Sequence, residues 1–288
     1  MDGYELLDFG GGARLERFGA FLTDRPAPAP FEPRSQPDRC AEADLRFDRD
    51  RGWTAIDGEP VPERWATRVA GLDLELRPTE AGQVGLFPEH LTMLPWLRDR
   101  VGERAERGAS RAGSPDGLAV LNLFAYTGLT TLALAGAGAA VAHVDASRPS
   151  VAWARRNAAA NDLEDRPIRW LVDDAVSFTV RELRRGRRYA GIVLDPPSYG
   201  HGAGGRSWHL ESDLGSLLAA CARILEPDGF VLLTAHSEGF GPDRLGDVLR
   251  TALPRRGSAA EAGDLAITNG AGRPFALGAF ARWDGGAR

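Results

Sequence analysis

The sequence predicts an α/β protein: a doubly wound, mainly parallel seven-stranded sheet with a smaller β-rich region at the N-terminus. Three observations carry this expectation. From residue 118 onward, apolar, β-branched runs alternate with segments of helical spacing, an order that builds parallel sheets with helices on both faces. Before residue 88, short β-like pieces are separated by glycine and proline, with no long helical pattern among them. The length of 288 residues, with 43% hydrophobic and 26% charged residues, suits one large domain or two smaller ones with a sizeable core. Two parts are expected: a β-rich region over 1–88, serving substrate binding or covering a cofactor, and the sheet domain over 89–288.

Each element follows from local pattern. "YELLDFGGGARLERFGAFL" (4–22) reads as a hairpin turning at Gly10–Gly12, "RPAPAPFEPRSQP" (25–37) as a proline-rich crossing, and "ATRVAGLDLELRP" (66–78) as a second hairpin. "PEHLTMLPWLRDRVGERAER" (88–107) has helical spacing, with Pro95 at its start or at a kink, and residues 107–117 form a flexible connection. The strands of the main sheet are then "LAVLNLFAY" (118–126), "AAVAHVD" (139–145), "IRWLVDD" (168–174), "AGIVLD" (190–195) and "GFVLLTAH" (229–236). Helices intervene from about Leu129, through 150–162, near 175–185 and from about Ser212, the last capped by Ser212. "DLAIT" (264–268) and "FALGAFARW" (275–283) close the sheet as an antiparallel edge pair.

Composition excludes several classes. No run approaches the roughly 20 apolar residues of a membrane helix, and "MDGYELLDFGG" lacks the order of a signal peptide, so a cytoplasmic location is expected. Cys40 and Cys221 form no CxxC pair, so neither a disulfide framework nor a metal site is implied. All 35 basic residues are arginines and the net charge is -5. Residues 1–88 hold 11 Arg and 17 acids, against 24 Arg and 23 acids in 89–288. A nucleic-acid partner would therefore meet a local patch rather than a global field. The candidate is "RELRRGRRY" (181–189), although the solvated end of a helix is the favoured reading of those residues.

Ligands of such sheets lie beyond the carboxyl ends of the strands. The turn "NLFAYTGLTT" (122–131) lacks G-x-G-x-x-G and offers Gly128, the hydroxyls of Tyr126 and Thr127 and a helix N-terminus, which suit a small carboxylate better than a diphosphate. Asp145 ends the next strand at the spacing of a ribose acceptor, with helix capping by Asp145, Ser147 or Ser150 as the plain alternative. Asp174, with Asp173, ends the third, where a carboxylate suits an adenine amino group or a cap. Together these ends describe a nucleoside carrying an amino-acid tail, S-adenosylmethionine.

The fourth strand end, "DPPSYG" (195–200), resembles the (Asp/Asn)-Pro-Pro-aromatic signature of class I methyltransferases, and "NLFAYTG" with "VLDPPSYG" is similar to the bacterial large-subunit rRNA base methyltransferases. The resemblance covers about residues 84–237 and implies a Rossmann-like methyltransferase fold. It implies that Phe124, Tyr126, Thr127 and Gly128 line the methionine end, that Asp145 holds the ribose and Asp174 the adenine, and that Asp195, Pro196, Pro197 and Tyr199 face the reacting methyl. Asn122, which stands where many relatives carry an acid, is a further candidate cofactor contact. "VGLFPEH" (84–90) is similar to a segment reaching over the cofactor, which adds Phe87 and Glu89.

Methyl transfer from a sulfonium needs a nucleophile aligned about 3 Å from the methyl carbon. Pro196 and Pro197 lack N–H donors and are expected to leave carbonyls free for an amine, beside the Asp195 carboxylate. Tyr199 is a candidate to stack on a flipped base or, alternatively, to pack in the core. Relatives that methylate cytosine C5 place a Cys after the next strand; this chain has Ala235 and His236, and Cys221 has the spacing of core. His236, His201 and His209 are candidate proton acceptors, and residues 200–205 a mobile lid with Arg206 and Trp208 as substrate contacts. The leading expectation is methylation of a base nitrogen of RNA, rRNA favoured. Methylation of a small molecule or protein, a non-catalytic RNA-associated module that binds the same cofactor, and a dinucleotide-dependent oxidoreductase are the alternatives.

Overall fold

Glycine spacing sets the turns of the first unit. The computed structural model describes residues 3–27, 32–107, 118–201, 207–253 and 260–286. Residues 28–31 of the proline-rich crossing, 108–117 of the connection, 202–205 of the expected lid and the candidate contact Arg206 lie outside the described residues. The chain divides into two units, Met1–Thr92 with Ala266–Leu277, and Met93–Leu265 with Gly278–Arg288.

In the first unit, β1 (Tyr4–Gly10), β2 (Ala13–Phe18) and β3 (Phe21–Pro26) form an antiparallel meander whose turns use Gly11, Gly12 and Gly19 at positive φ. A short helix α1 (Pro37–Ala41) leads to β4 (Leu45–Asp48), which pairs parallel to β3, and β5 (Gly52–Ala55) completes a five-stranded sheet. The second expected hairpin is β6 (Trp65–Val69) with β7 (Leu72–Leu76). Under the sheet Glu16, wholly buried, accepts from Tyr4 Oη at 2.9 Å and from Arg25 Nε at 2.7 Å, with Arg14 Nε at 3.0 Å. A buried charge survives only when paired in this way.

The second unit opens with α2 (Leu94–Glu106), Pro95 in its first turn as expected. There follow β8 (Ala119–Leu123), α3 (Leu129–Gly136), β9 (Ala140–Asp145), α4 (Arg148–Ala159), β10 (Ile168–Val172), α5 (Ala175–Arg184) and β11 (Tyr189–Leu194). The two short strands β12 (Tyr199–His201) and β13 (Ser207–His209) pair with each other, and then come α6 (Leu210–Ile224), β14 (Leu225–Ala235), α7 (Pro242–Ala252), β15 (Glu261–Thr268) and β16 (Pro274–Asp284). The sheet order is β10-β9-β8-β11-β14-β16-β15, parallel from β10 to β14 and antiparallel at β14–β16. The seven strands and the late edge pair therefore stand as the sequence predicts.

The sheet is continuous because its central strands are apolar on both faces. All six residues of β11 are buried, and Leu121, Ile192, Leu217, Ile224 and Leu233 belong to one core. Gly191 is required there: a Cβ would fall 2.1 Å from the Phe230 ring on the adjacent strand. Cys221 belongs to this core, its thiol pushed up to about 12 by burial. One local expectation fails. α6 begins at Leu210 after His209, and Ser212 is its third residue; Asp213 Oδ2 instead accepts from His209 N–H at 2.8 Å, so the helix start is held by a carboxylate reaching back rather than by a capping serine. Among the described residues, no helix is long and apolar enough to cross a membrane.

Candidate active site

The strand order reverses at β8, which has β9 on one side and β11 on the other, so the crevice of this sheet opens beyond the carboxyl ends of β8 and β11. Backbone bonds draw the neighbouring strand ends together there. Ala125 N–H donates to Val144 O at 3.1 Å, Asp195 N–H to Leu123 O at 3.4 Å, and Asp173 N–H to Asp145 O at 3.0 Å.

The loop after β8 is strained. Phe124 has φ 57° and Tyr126 φ 49°, left-handed values that non-glycine residues adopt at a cost of about 1–3 kcal/mol each. Asp145 sustains this shape: Oδ2 accepts from Tyr126 N–H and Oδ1 from Ser147 N–H, both at 2.8 Å. Burial raises the Asp145 carboxyl above its ordinary range, opposed by these two bonds. Asn157 of α4 adds a bond to Thr127 O at 2.9 Å. Gly128, at φ 93°, sits so close to α4 that a Cβ would lie 2.9 Å from the Ala154 Cβ. It is also the N-cap of α3 and brings no side chain, which leaves the first-turn N–H groups of that helix without a side-chain cap.

The remaining acids divide in role. Asp174 is buried and caps α5 through Oδ1, which accepts from Ser177 N–H at 2.8 Å; Oδ2 has no partner among the described residues. The plain reading of Asp174 as a cap is thus realised by one oxygen, with the other left over. The cap of α4 is Ser147, bonded to Ser150 N–H at 3.2 Å, so Asp145 acts on the loop and not as the helix cap. Asn122 is buried, and its amide donates to Thr131 Oγ1 at 2.9 Å, which in turn lies 2.9 Å from His143 Nδ1.

At the end of β11, Asp195 is set by two residues of β14 and the turn behind it. Thr234 Oγ1 donates to Asp195 Oδ1 at 2.6 Å, and His236 Nε2 stands 3.3 Å from the same oxygen. Thr234 did not emerge from the sequence. Its signal lies in the register, since Leu194 pairs with Leu233 and the following residues on both strands must therefore meet. Pro196 is buried. Pro197 departs from expectation: its carbonyl is not free but accepts from Trp208 Nε1 at 2.7 Å. Trp208 departs with it. The indole is buried and packs 5.1 Å from the Phe124 ring, because folding β13 back on β12 turns it inward as the roof of the core. Tyr199 is 73% exposed, so it does not pack in the core, and its ring meets His209 edge-on at 5.1 Å. The His201 side chain lies outside the described residues.

Phe87 and Glu89 lie in the first unit. Phe87 has its ring 6.0 Å from that of His90, and Glu89 is buried within electrostatic reach of Tyr4, Arg14 and Arg25.

The donor set at the crevice fits a nucleoside with an amino-acid tail. It offers uncapped helix N–H groups behind a glycine that admits no side chain, a carboxylate at the second strand and a spare carboxylate oxygen at the third. Comparisons with known proteins agree. A family model described as S-adenosylmethionine-dependent methyltransferase matches residues 22–256. The crystal structure of a SAM-dependent methyltransferase from Agrobacterium tumefaciens is 35% identical, with a TM-score of 0.89 over 98% of this chain and 90% of that one. SMU.776, solved in complex with SAH, shares the fold at 18% identity, with a TM-score of 0.74 over 98% of this chain and 75% of that one. A ribosomal RNA large subunit methyltransferase K/L from Methylococcus capsulatus is 35% identical over 144 residues, 47% of this chain and 20% of that protein. This chain thus spans about a fifth of the length of the curated relatives it matches. The match of family model and near full-length structure, on a fold whose strand ends converge as described, leads to one conclusion: the chain belongs to the S-adenosylmethionine-dependent methyltransferase family.

Proposed function

We propose that this methyltransferase acts on a base nitrogen of RNA, ribosomal RNA being the favoured class. The observation that carries the reading is the group at the end of β11: a carboxylate fixed by Thr234 and His236, four residues before an aromatic ring that is 73% exposed. A nitrogen nucleophile needs an acceptor for its N–H and a surface that orients its ring. The names of the curated relatives, ribosomal RNA large subunit methyltransferases, support the substrate class.

Phe124, Tyr126, Thr127 and Gly128 would hold the methionine end of the cofactor, Asp145 the ribose and Asp174 the adenine. When bound, S-adenosylmethionine supplies an electrophilic sulfonium methyl group. The chain's own residues align and desolvate the acceptor. Asp195 accepts the N–H of the attacking nitrogen; Thr234 holds the carboxylate in one orientation, and His236, on the same oxygen, is placed to take the proton onward. Tyr199 stacks the base, a contact worth about 1–3 kcal/mol. C5 methylation of cytosine does not fit: Ala235 and His236 stand where the thiolate would, and Cys221 is fully buried with its thiol pushed up to about 12.

The test incubates the full chain with methyl-labelled S-adenosylmethionine and, separately, total RNA, ribosomal subunits and a metabolite extract. Label is expected in RNA, and Asp195→Ala is expected to abolish transfer while calorimetry still shows cofactor binding. Label confined to metabolites or protein, or near-normal turnover by Asp195→Ala, refutes the reading.

A further inference from the structure

The opposite edge of the parallel sheet carries a second feature. A cleft of about 880 Å³ opens at the amino-terminal ends of β8 to β11, where Ala119, Ala140, Ile168 and Tyr189 begin their strands. Among the described residues, five arginines line it, Arg166, Arg169, Arg185, Arg187 and Arg188, and no acid does. All five are exposed. They come from two separate stretches. Arg166 and Arg169 flank the start of β10, while Arg185, Arg187 and Arg188 lie past the last residue of α5. Residues 164–169 and 181–189 together hold seven arginines and three acids, a surplus of four positive charges in a chain whose net charge is -5.

The patch is partly pre-formed. Glu182, buried at the end of α5, accepts from Arg185 at 2.9 Å and from Tyr189 Oη at 2.7 Å, with Arg169 at 3.6 Å. Burial raises the Glu182 carboxyl, but Tyr189, Arg185 and Arg169 outweigh this and leave it below its ordinary range. One carboxylate therefore orients two guanidinium groups and neutralises only one of them. Arg188 is held by the Arg223 carbonyl, a neutral partner. Among the described residues, Arg166 and Arg187 form no ion pair. A solvated helix end accounts for Arg181, Arg184 and Arg185; it gives no reason for arginines from the β10 edge to face the same cleft.

We infer that this arginine-lined cleft docks the phosphodiester backbone of RNA, on the sheet edge opposite the reacting end, so that the substrate is gripped at a place remote from the methylated base. The inference deepens the RNA reading proposed above and rests on it. Guanidinium groups match phosphate oxygens in charge and fork geometry. Contacts of this kind position a nucleic acid without reading its sequence. Strands of five to six residues at about 3.3 Å each put the two edges about 17–20 Å apart, a span that a folded RNA covers and a mononucleotide does not.

The test measures fluorescence anisotropy of a labelled 30-nucleotide RNA stem-loop with the full chain from 50 to 200 mM NaCl. The triple variant Arg166→Gln, Arg187→Gln, Arg188→Gln is expected to bind at least tenfold more weakly at 100 mM salt. The slope of log K against log salt is expected to flatten by about 2–3, since each phosphate contact contributes about 0.7–0.9. Cofactor affinity by calorimetry and the thermal midpoint should stay at wild-type values, which shows that the variant folds. A matched triple on the exposed faces of α4 and α7, Arg155→Gln, Arg156→Gln, Arg250→Gln, should change the slope by less than one. Equal weakening by both triples, or an unchanged slope in the first, overturns the inference. Displacement of the RNA by poly-glutamate at equal charge concentration also overturns it, in favour of an acidic-protein partner. The RNA methylation reading fails separately: wild-type protein that shows the cleft-dependent slope yet labels no RNA keeps the cleft and loses the substrate. Unchanged KM for RNA in the cleft variant does the reverse.

Discussion

Lowering the pH from 7.0 to 5.5 should cost this fold about 1.3 kcal/mol through a single side chain, His143, with an unfolded-state pKa of about 6.5. The residue is completely buried in β9, its Nδ1 lies 2.9 Å from Thr131 Oγ1, and burial lowers its pKa to about 3. The folded imidazole therefore stays neutral down to the region of pH 3, while the unfolded one gains a proton as the pH falls through about 6.5. With more protons bound in the unfolded state, stability falls as the solution is acidified, and the loss grows continuously between those two values. At pH 5.5 the unfolded chain is favoured by the ratio of its binding polynomials at the two pH values, about 8, which gives the figure of about 1.3 kcal/mol. His143→Gln removes the titration and retains a polar group near Thr131. Urea unfolding of both proteins at both pH values isolates it, because other titrating groups cancel in the difference. The stability gap between wild type and variant should shrink by about 1.3 kcal/mol on acidification. A gap that stays constant within about 0.3 kcal/mol, or an imidazole proton resonance that titrates near pH 6.5 in the folded protein, refutes the assignment of a neutral buried ring.

Three further outcomes test the site. Asp145→Ala removes the acceptor of Tyr126 and Ser147 N–H groups, and cofactor affinity by calorimetry should drop by about 1–3 kcal/mol; an unchanged dissociation constant ends that role. Gly128→Ala forces a Cβ to 2.9 Å from Ala154 at φ 93°, which should lower stability by about 1–3 kcal/mol and weaken cofactor binding with it, and a variant indistinguishable in chemical denaturation contradicts the close approach of α3 and α4. Tyr199→Ala should leave stability within about 0.5 kcal/mol because the ring is 73% exposed, yet raise KM for RNA by about 5- to 150-fold; an unaltered KM removes Tyr199 from substrate binding.

Much of the molecule was legible from local pattern. Apolar runs at the right spacing placed the main-sheet strands and the late edge pair, Cys221 read as core from its helical neighbours, and Gly10–Gly12 marked the turn between β1 and β2, while the second turn at Gly19 and the third strand of the meander were not foreseen. These are short-range properties: periodicity and turn chemistry act over a few residues. The converging strand ends were legible too, since a parallel doubly wound sheet puts them on one edge whatever the side chains.

What the sequence left undecided depends on partners distant along the chain. Pro197 O is taken by Trp208, eleven residues away, and Asp195 is held by Thr234, thirty-nine residues away. Asn122 and Thr131 end up bonded to one another beside His143. Arg166 and Arg169 join the arginines after α5 only because β10 and β11 begin on the same sheet edge. A donor or acceptor carries no mark of which long-range partner it will find. Strand composition determined that there would be a sheet with a crevice, whereas register and the packing of loops onto it decided which polar groups are spent inside the fold and which still face a ligand.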